Sequence, residues 1–214
     1  TRAVLDDPVL AVRLKGVGVL TRRDIKDFGA VGPVARASGV DFDVRKDDPY
    51  AAYPLVKWKV ITTGNGDVFD KAVVRLLETF ESVSIIRQCL DAIEGKKGEI
   101  ENQVREVPAG QGIGRHEAPR GECFHYVRSD GANSPVRHKI RAPSYVNIPT
   151  FKASCTGQTI SDVAIILAGV DPCYCCTERV AVYDAGNKKK LYGFPELVEM
   201  SRKKTERIIK GEMK

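Results

Sequence analysis

The feature that most restricts the fold is a run of spaced apolar residues between positions 70 and 93. Val73, Leu76, Leu77, Phe80, Val83, Ile86, Leu90 and Ile93 recur three and four apart, the spacing that gathers side chains on one face of an α-helix. Lys71, Arg75, Glu78 and Arg87 fall largely on the opposite side. The period predicts a long amphipathic helix with its apolar face toward a core. Asp67, after Gly64 and Gly66, reads as its N-cap, and Gly95 as its stop.

Around that helix the signals are shorter. The first 60 residues are rich in Gly, Pro and Asp and read as loops around short elements. GVG at 16–18 lacks the third glycine of a dinucleotide fingerprint. Residues 122–141 predict a hairpin, in which CFHYVR and VRHKIR flank the turn formers of SDGANSP. Residues 160–170 read as a buried helix ending near Gly169 and Asp171-Pro172. From Pro195 onward a weak, basic helix is expected.

Bulk properties exclude several classes. The longest apolar run, 163–170, is far short of the roughly 20 residues that span a bilayer. A mean hydropathy of −0.24 with 43% hydrophobic residues suits a water-soluble chain with a real core. TRAVLDDPVL shows no signal peptide and no initiator Met, so a start part-way through a longer protein, or a trimmed one, is expected. The net charge of +6 is spread along the chain apart from 188–190 and SRKKTERIIKGEMK. These two patches read as a solvated face and a mobile tail, not as a nucleic-acid surface. Of six cysteines, three crowd into 173–176, without an export signal. That points to a reducing compartment and a chemical cluster.

Cys173 and Cys176 form a CxxC, which lets two thiolates meet one soft metal from a turn. Zinc, nickel, iron, an iron–sulfur cluster and a redox pair all remain open at this level, as does a set of inert packed thiols. Zinc would need two further ligands, and there is no second CxxC. A thioredoxin-like pair should open a helix, whereas this one follows an apolar helix. In GIGRHEAPRGECFHYVRSDG (112–131), glycines and Pro119 predict a loop presenting Arg115, His116, Glu117, Arg120 and Glu122. An arginine held this way can stabilise charge developing at a reacting centre, and Glu117 or Glu122 can relay protons. Taken singly, each also fits a surface ion pair. His125 and His138 fall in predicted strands and read as packing or hydrogen-bonding residues.

These residues carry a resemblance. DPCYCCTER resembles the C-terminal DPCxxC motif of NiFe-hydrogenase large subunits, and EAPRGE resembles the motif bearing the arginine above their active site. VGPVARASGVDFDVRKDDPYAAY, NGDVFDKAVVRLLE, IIRQCL and VRHKIRAPSY resemble the energy-converting, membrane-bound branch. They are also similar to the quinone-site subunit of NADH:quinone oxidoreductase (complex I). The resemblance implies an α+β, mainly helical fold, like the large subunit, with long amphipathic helices and a small antiparallel hairpin. Residues 1–184 would form the C-terminal part of that domain and 185–214 a basic, helical extension.

The roles follow by the same resemblance. Cys173 and Cys176 match the C-terminal nickel ligands, Cys176 being the one that bridges to iron. Arg120 matches the guanidinium above the metals, Glu117 takes a proton role in the same motif, and Arg179 stands beside the cofactor where most hydrogenases have His. Implied cofactors are a NiFe centre with ligands shared by another chain, and an iron–sulfur cluster in a neighbouring subunit. Implied partners are the iron–sulfur small subunit, the N-terminal half of the large subunit, antiporter-like membrane subunits and ferredoxin, on the cytoplasmic face of the membrane.

Three departures separate the chain from that pattern. The family's N-terminal CxxC is missing, about 35 residues follow Arg179 where maturing hydrogenases lose such a tail, and Cys175 adds a third thiol. They point to a relative, the sulfane-sulfur (polysulfide) reductases, which resemble hydrogenases without a complete NiFe site. A non-catalytic structural subunit of a complex I-like assembly is the reading from another class. The quinone-site relative lacks the cysteines.

Overall fold

The computed structural model describes residues 5–98, 101, 106–177 and 181–212. They fall in two compact units, Thr1–Cys176 and Thr177–Lys214. The first is α+β: short helices, one long helix and a three-stranded antiparallel sheet.

Its N-terminal part strings α1 (Pro8–Leu14), α2 (Arg22–Phe28), α3 (Pro33–Ala37) and α4 (Val44–Asp47) on tight turns. Each of the first three starts has a local cause. Asp7 caps α1, Thr21 and Asp24 close a capping box on α2, and Pro33 opens α3 with its φ already set. The Gly- and Pro-rich segment holds the core: Leu20, Ile25, Ala30, Val34 and Ala35 cluster with Val170, and Phe151 packs against them. Each large aliphatic side chain buried there contributes about 1.5–3 kcal/mol.

The long helix α5 spans Val68–Ile93, capped by Asp67, which accepts from the Asp70 N–H at 2.8 Å. Its buried face differs from the expected one. Val68, Asp70, Lys71 and Val74 are buried, whereas Phe80, Val83, Ile86, Leu90 and Ile93 are exposed. The cause is what the buried cations reach. Lys71 Nζ donates to the Gly18 carbonyl at 2.8 Å, and Arg75 donates to the Gly169 and Val170 carbonyls at 2.9 and 3.3 Å. The latter two carbonyls end the helix Ile160–Val170, where a cation satisfies orphan acceptors and the helix dipole. Backbone acceptors therefore draw the charged face inward, and the apolar stripe from Phe80 onward remains at the surface, while Val73, Leu76 and Leu77 are half-buried.

Burial drives the Lys71 ammonium down to about 8 from an ordinary 10.5, with Asp67 opposing and Arg75 adding to the effect. Below about pH 8 folded and unfolded chains both hold this proton; between about 8 and 10.5 only the unfolded chain does. Stability should therefore rise with pH through that window, by up to roughly 3 kcal/mol. Denaturant titrations of wild type and Lys71→Met at pH 7.5, 9 and 10 (about the window's edges and middle) check this. The rise belongs to Lys71 if it disappears in the variant and not if both chains follow the same slope.

Strands β1 (Gly110–Ala118), β2 (Gly121–Ser129) and β3 (Arg137–Arg141) form the sheet in that order. The expected hairpin is β2–β3. The stretch 112–118, expected as loop, is instead a strand, pairing Gly112 with Val127, Gly114 with His125 and His116 with Cys123. Glycines lower strand propensity by themselves, but Gly112 and Gly114 lie opposite a β-branched and a ring residue that supply the packing surface. Only Pro119 and Arg120 are left to the turn.

After β3 come α6 (Pro143–Asn147), α7 (Phe151–Cys155), α8 (Ile160–Val170) and the short turn α9 (Tyr174–Thr177). Thr159 and Asp162 form a capping box on α8, and Asp171 closes it in the left-handed region at φ 55°. The second unit contains β4 (Val182–Tyr183), paired with β5 (Lys190–Tyr192), and the basic helix α10 (Phe194–Ile209). Among the described residues no helix is long and apolar enough to cross a membrane.

Candidate metal and redox site

Arg120 stands at the β1–β2 turn, and two buried devices fix it there. Asn147 donates from Nδ2 to the Arg120 and Val31 carbonyls at 3.0 and 3.2 Å, while its Oδ1 accepts the Val31 N–H at 2.9 Å. Gly32, at φ 70°, lies against the turn so closely that a Cβ would come 2.4 Å from the Arg120 carbonyl oxygen. No side chain is accommodated there in either respect.

From this seat Arg120 reaches the cysteine segment. Its Nε donates to the Asp171 carbonyl and its Nη2 to Asp171 Oδ1, both at 2.8 Å. Two residues on, the Cys173 N–H donates to Ser144 Oγ at 2.9 Å, and Ser144 is fully buried. Cys176 Sγ donates to Cys173 Sγ at 3.1 Å. This thiol contact, the Cys176 N–H and the positive Arg120 all favour the Cys173 thiolate, lowering its pKa. Donating to Cys173 pushes Cys176 up to about 11. Cys173 is thus the more acidic thiol of the pair, and Cys176 the donor between them. Cys175 is exposed, and none of the six cysteines forms a disulfide.

As a donor set, the pair fits half of a soft-metal site. Two thiolates at about 2.3 Å from one tetrahedral centre lie roughly 3.8 Å apart, which a small rotation from 3.1 Å provides. Binding a metal there would release the thiol protons of the pair.

Glu117 faces elsewhere. Its Oε1 accepts from Arg36 Nη1 at 2.9 Å, and its N–H donates to the Tyr50 hydroxyl at 3.1 Å. Arg36, 1% exposed, also reaches Glu78 at 2.7 Å and Asp43 at 3.3 Å. Burial opposes the charge of both partners, but with opposite net results. Three carboxylates outweigh burial for Arg36 and raise its pKa, whereas for Glu117 burial prevails over its share of Arg36, and its carboxyl is pushed up. One cation among three anions leaves Glu117 incompletely neutralised. Glu117 Oε2 is buried without a hydrogen-bond partner, as is Arg75 Nε. Both residues line one cavity of about 440 Å3, together with Arg36, Glu78, Pro119 and Asp171.

The structure thus joins Arg120 to the segment of Cys173 and Cys176 and sets Glu117 on an adjacent cavity. Glu122 is held by Arg141 and Arg115 in ion pairs, and Arg115 also pairs with Asp48. Arg179 lies outside the described residues. Sequence reasoning missed Arg36, Ser144 and Asn147. One signal was there for Arg36, a lone cation inside the small apolar run GPVARA; the polar residues of APSYVNIPT carry no comparable mark.

Comparison with known proteins completes the description. The family model described as "Respiratory-chain NADH dehydrogenase, 49 Kd subunit" matches residues 1–107 and 99–179. The carbon monoxide-induced hydrogenase of Rhodospirillum rubrum is 41% identical over 176 residues, 81% of this chain and 48% of that protein. An NADH-quinone oxidoreductase subunit of Herpetosiphon aurantiacus is 37% identical over 173 residues, covering 78% and 47%. The alpha subunit of the membrane-bound hydrogenase of Pyrococcus furiosus is 36% identical over 226 aligned positions, covering 97% and 53%. The chain spans about half the length of the curated relatives it matches.

Proposed function

Because the chain belongs to the family of the respiratory-chain NADH dehydrogenase 49 kDa subunit, we propose that it is part of the redox large subunit of a membrane-bound, ion-translocating complex. In this reading it oxidises ferredoxin by way of a neighbouring iron–sulfur subunit and reduces protons to H2. Cys173 and Cys176 supply two of four thiolates of a NiFe site, and the remaining two come from the N-terminal half of the large subunit. The observation that carries this reading is the hydrogen-bonded Cys173–Cys176 pair beside the clamped Arg120. The stripe of Phe80, Val83, Ile86, Leu90 and Ile93 on α5 supports it, since an exposed apolar face of this length suits burial against another polypeptide.

The centre, when bound, would supply electron transfer and a place for protons to be reduced. The chain's residues do the rest. The Arg120 guanidinium holds the Asp171–Cys173 segment in place and presents positive charge beside the sulfurs. Glu117, with a raised pKa and an unpartnered oxygen on the cavity, takes up and gives back a proton. Arg179 stands near the cofactor in the same reading. The membrane partners are antiporter-like subunits, and the location is the cytoplasmic face.

Elemental analysis of the native complex for nickel, with iron and zinc alongside, tests the proposal. About one nickel per copy of this chain supports it. Iron without nickel overturns it in favour of sulfane-sulfur reduction, a reading for which the exposed third thiol, Cys175, speaks.

A further inference from the structure

All three histidines of the chain lie on one face of the sheet. Side chains alternate along β2, so Cys123, His125 and Val127 share a side. The register sets His116 of β1 opposite Cys123, and His138 of β3 opposite Val127. Glu117, Glu122 and Arg141 occupy the other face, where their ion pairs are made. The sheet is thus ionic on one side and imidazole–thiol on the other. The redox reading uses only the ionic side and the turn.

The geometry on the second side is that of a ligand set. One nitrogen each of His116 and His125 and the sulfur of Cys123 lie within 4.8 Å of one another. Cys123 Sγ is 3.4 Å from His125 Nε2, and the other nitrogen of that ring, Nδ1, is 2.9 Å from His138 Nε2. The His116 and His125 rings stack at 6.0 Å between centroids. Imidazole nitrogen and thiolate sulfur are the donor types that a borderline-soft divalent cation takes.

We propose that His116, Cys123 and His125 bind a divalent cation of the zinc class, with His138 orienting His125 through Nδ1 and a water completing the four ligands. Tetrahedral zinc holds sulfur at about 2.3 Å and nitrogen at about 2.0–2.1 Å, which puts donor atoms roughly 3.5 Å apart. Turning the exposed His116 side chain closes the present spread, while the paired strands keep the backbone fixed. The contact from His138 is the kind that fixes the tautomer of a ligating ring. Gly112 and Gly114 lie on the same face with open space where a Cβ would stand, so the fourth position is reachable from solvent. Binding releases the Cys123 proton, which burial otherwise retains. The cation would tie β1 to β2 directly behind the turn that carries Arg120. None of its ligands is Cys173 or Cys176.

Cobalt(II) is the probe, read by the visible bands of a tetrahedral, thiolate-bearing site in the full 214-residue chain. A Cys173→Ser/Cys175→Ser/Cys176→Ser chain removes the competing thiols. About one cobalt per chain, displaced by zinc, is expected to persist in this background. Cys123→Ser should abolish the thiolate band. Because Cys123 is buried and the variant can misfold, His116→Ala at its exposed position carries the decision and should weaken binding at least tenfold. His138→Gln, leaving the ligands intact, should weaken it about 10–100-fold. No cobalt bound in the triple-serine background, or unchanged affinity in His116→Ala, overturns the proposal.

Discussion

Arg36→Met is expected to cost the chain about 3–5 kcal/mol, a large share of the roughly 5–15 kcal/mol that keeps a domain folded. The guanidinium is the cation shared by Asp43, Glu78 and Glu117, and two of those carboxylates are 4% exposed or less. Methionine fills much of the volume but leaves buried negative charge without compensation. Arg45 still serves Asp43 at 2.6 Å, so the loss should concentrate on Glu117 and Glu78. Arg36→Met combined with Glu117→Gln should therefore recover part of the stability, a coupling that independent sites would not show. Urea denaturation followed by circular dichroism decides the matter. A loss under about 1 kcal/mol would show that water, and not Arg36, neutralises the cluster.

Arg120→Lys should lower turnover of the assembled complex by about 10²–10³-fold while barely moving the stability of the chain. Lysine keeps the charge but loses the planar fork that takes the Asp171 carbonyl and carboxylate together. Asp171→Ala is the control for how the loss arises. It removes one of the two contacts and leaves the guanidinium in place. A comparable fall in both variants means that Arg120 works by holding the cysteine segment; a fall confined to Arg120→Lys means that the planar guanidinium donors act on the reacting centre itself. Turnover within threefold of wild type in Arg120→Lys would end both accounts.

What the sequence disclosed depended on whether the cause was local. The long helix, its Asp67 cap and the Gly95 stop follow from spacing and capping chemistry within a few residues, and α5 forms there. Which face of α5 turns inward is a different kind of question. Its answer lies in the carbonyls of Gly18, Gly169 and Val170, and no period along residues 70–93 reports them. The β1 strand failed for a related reason: glycine spacing argues for a loop until the partner strand is known. In the site, DPCYCC and EAPRGE were readable as motifs, and their meeting through Asp171 is now geometric fact. Asn147 was invisible because its value lies in whom it touches. A carboxamide between Val and Ile looks like any surface polar residue until its three backbone partners appear.

That carboxamide also sets an order of events. Asn147 fastens positions 31 and 120 from a third place in the chain, and the contacts span 116 and 27 residues of sequence. Loop closure over such separations is slow compared with forming a helix or a hairpin. During synthesis, the β1–β2 turn can close early, but the arginine on it acquires its final aim only once residue 147 has emerged and returned to the N-terminal segment. A nascent chain released before that point carries EAPRGE complete in sequence and none of the geometry that makes it useful.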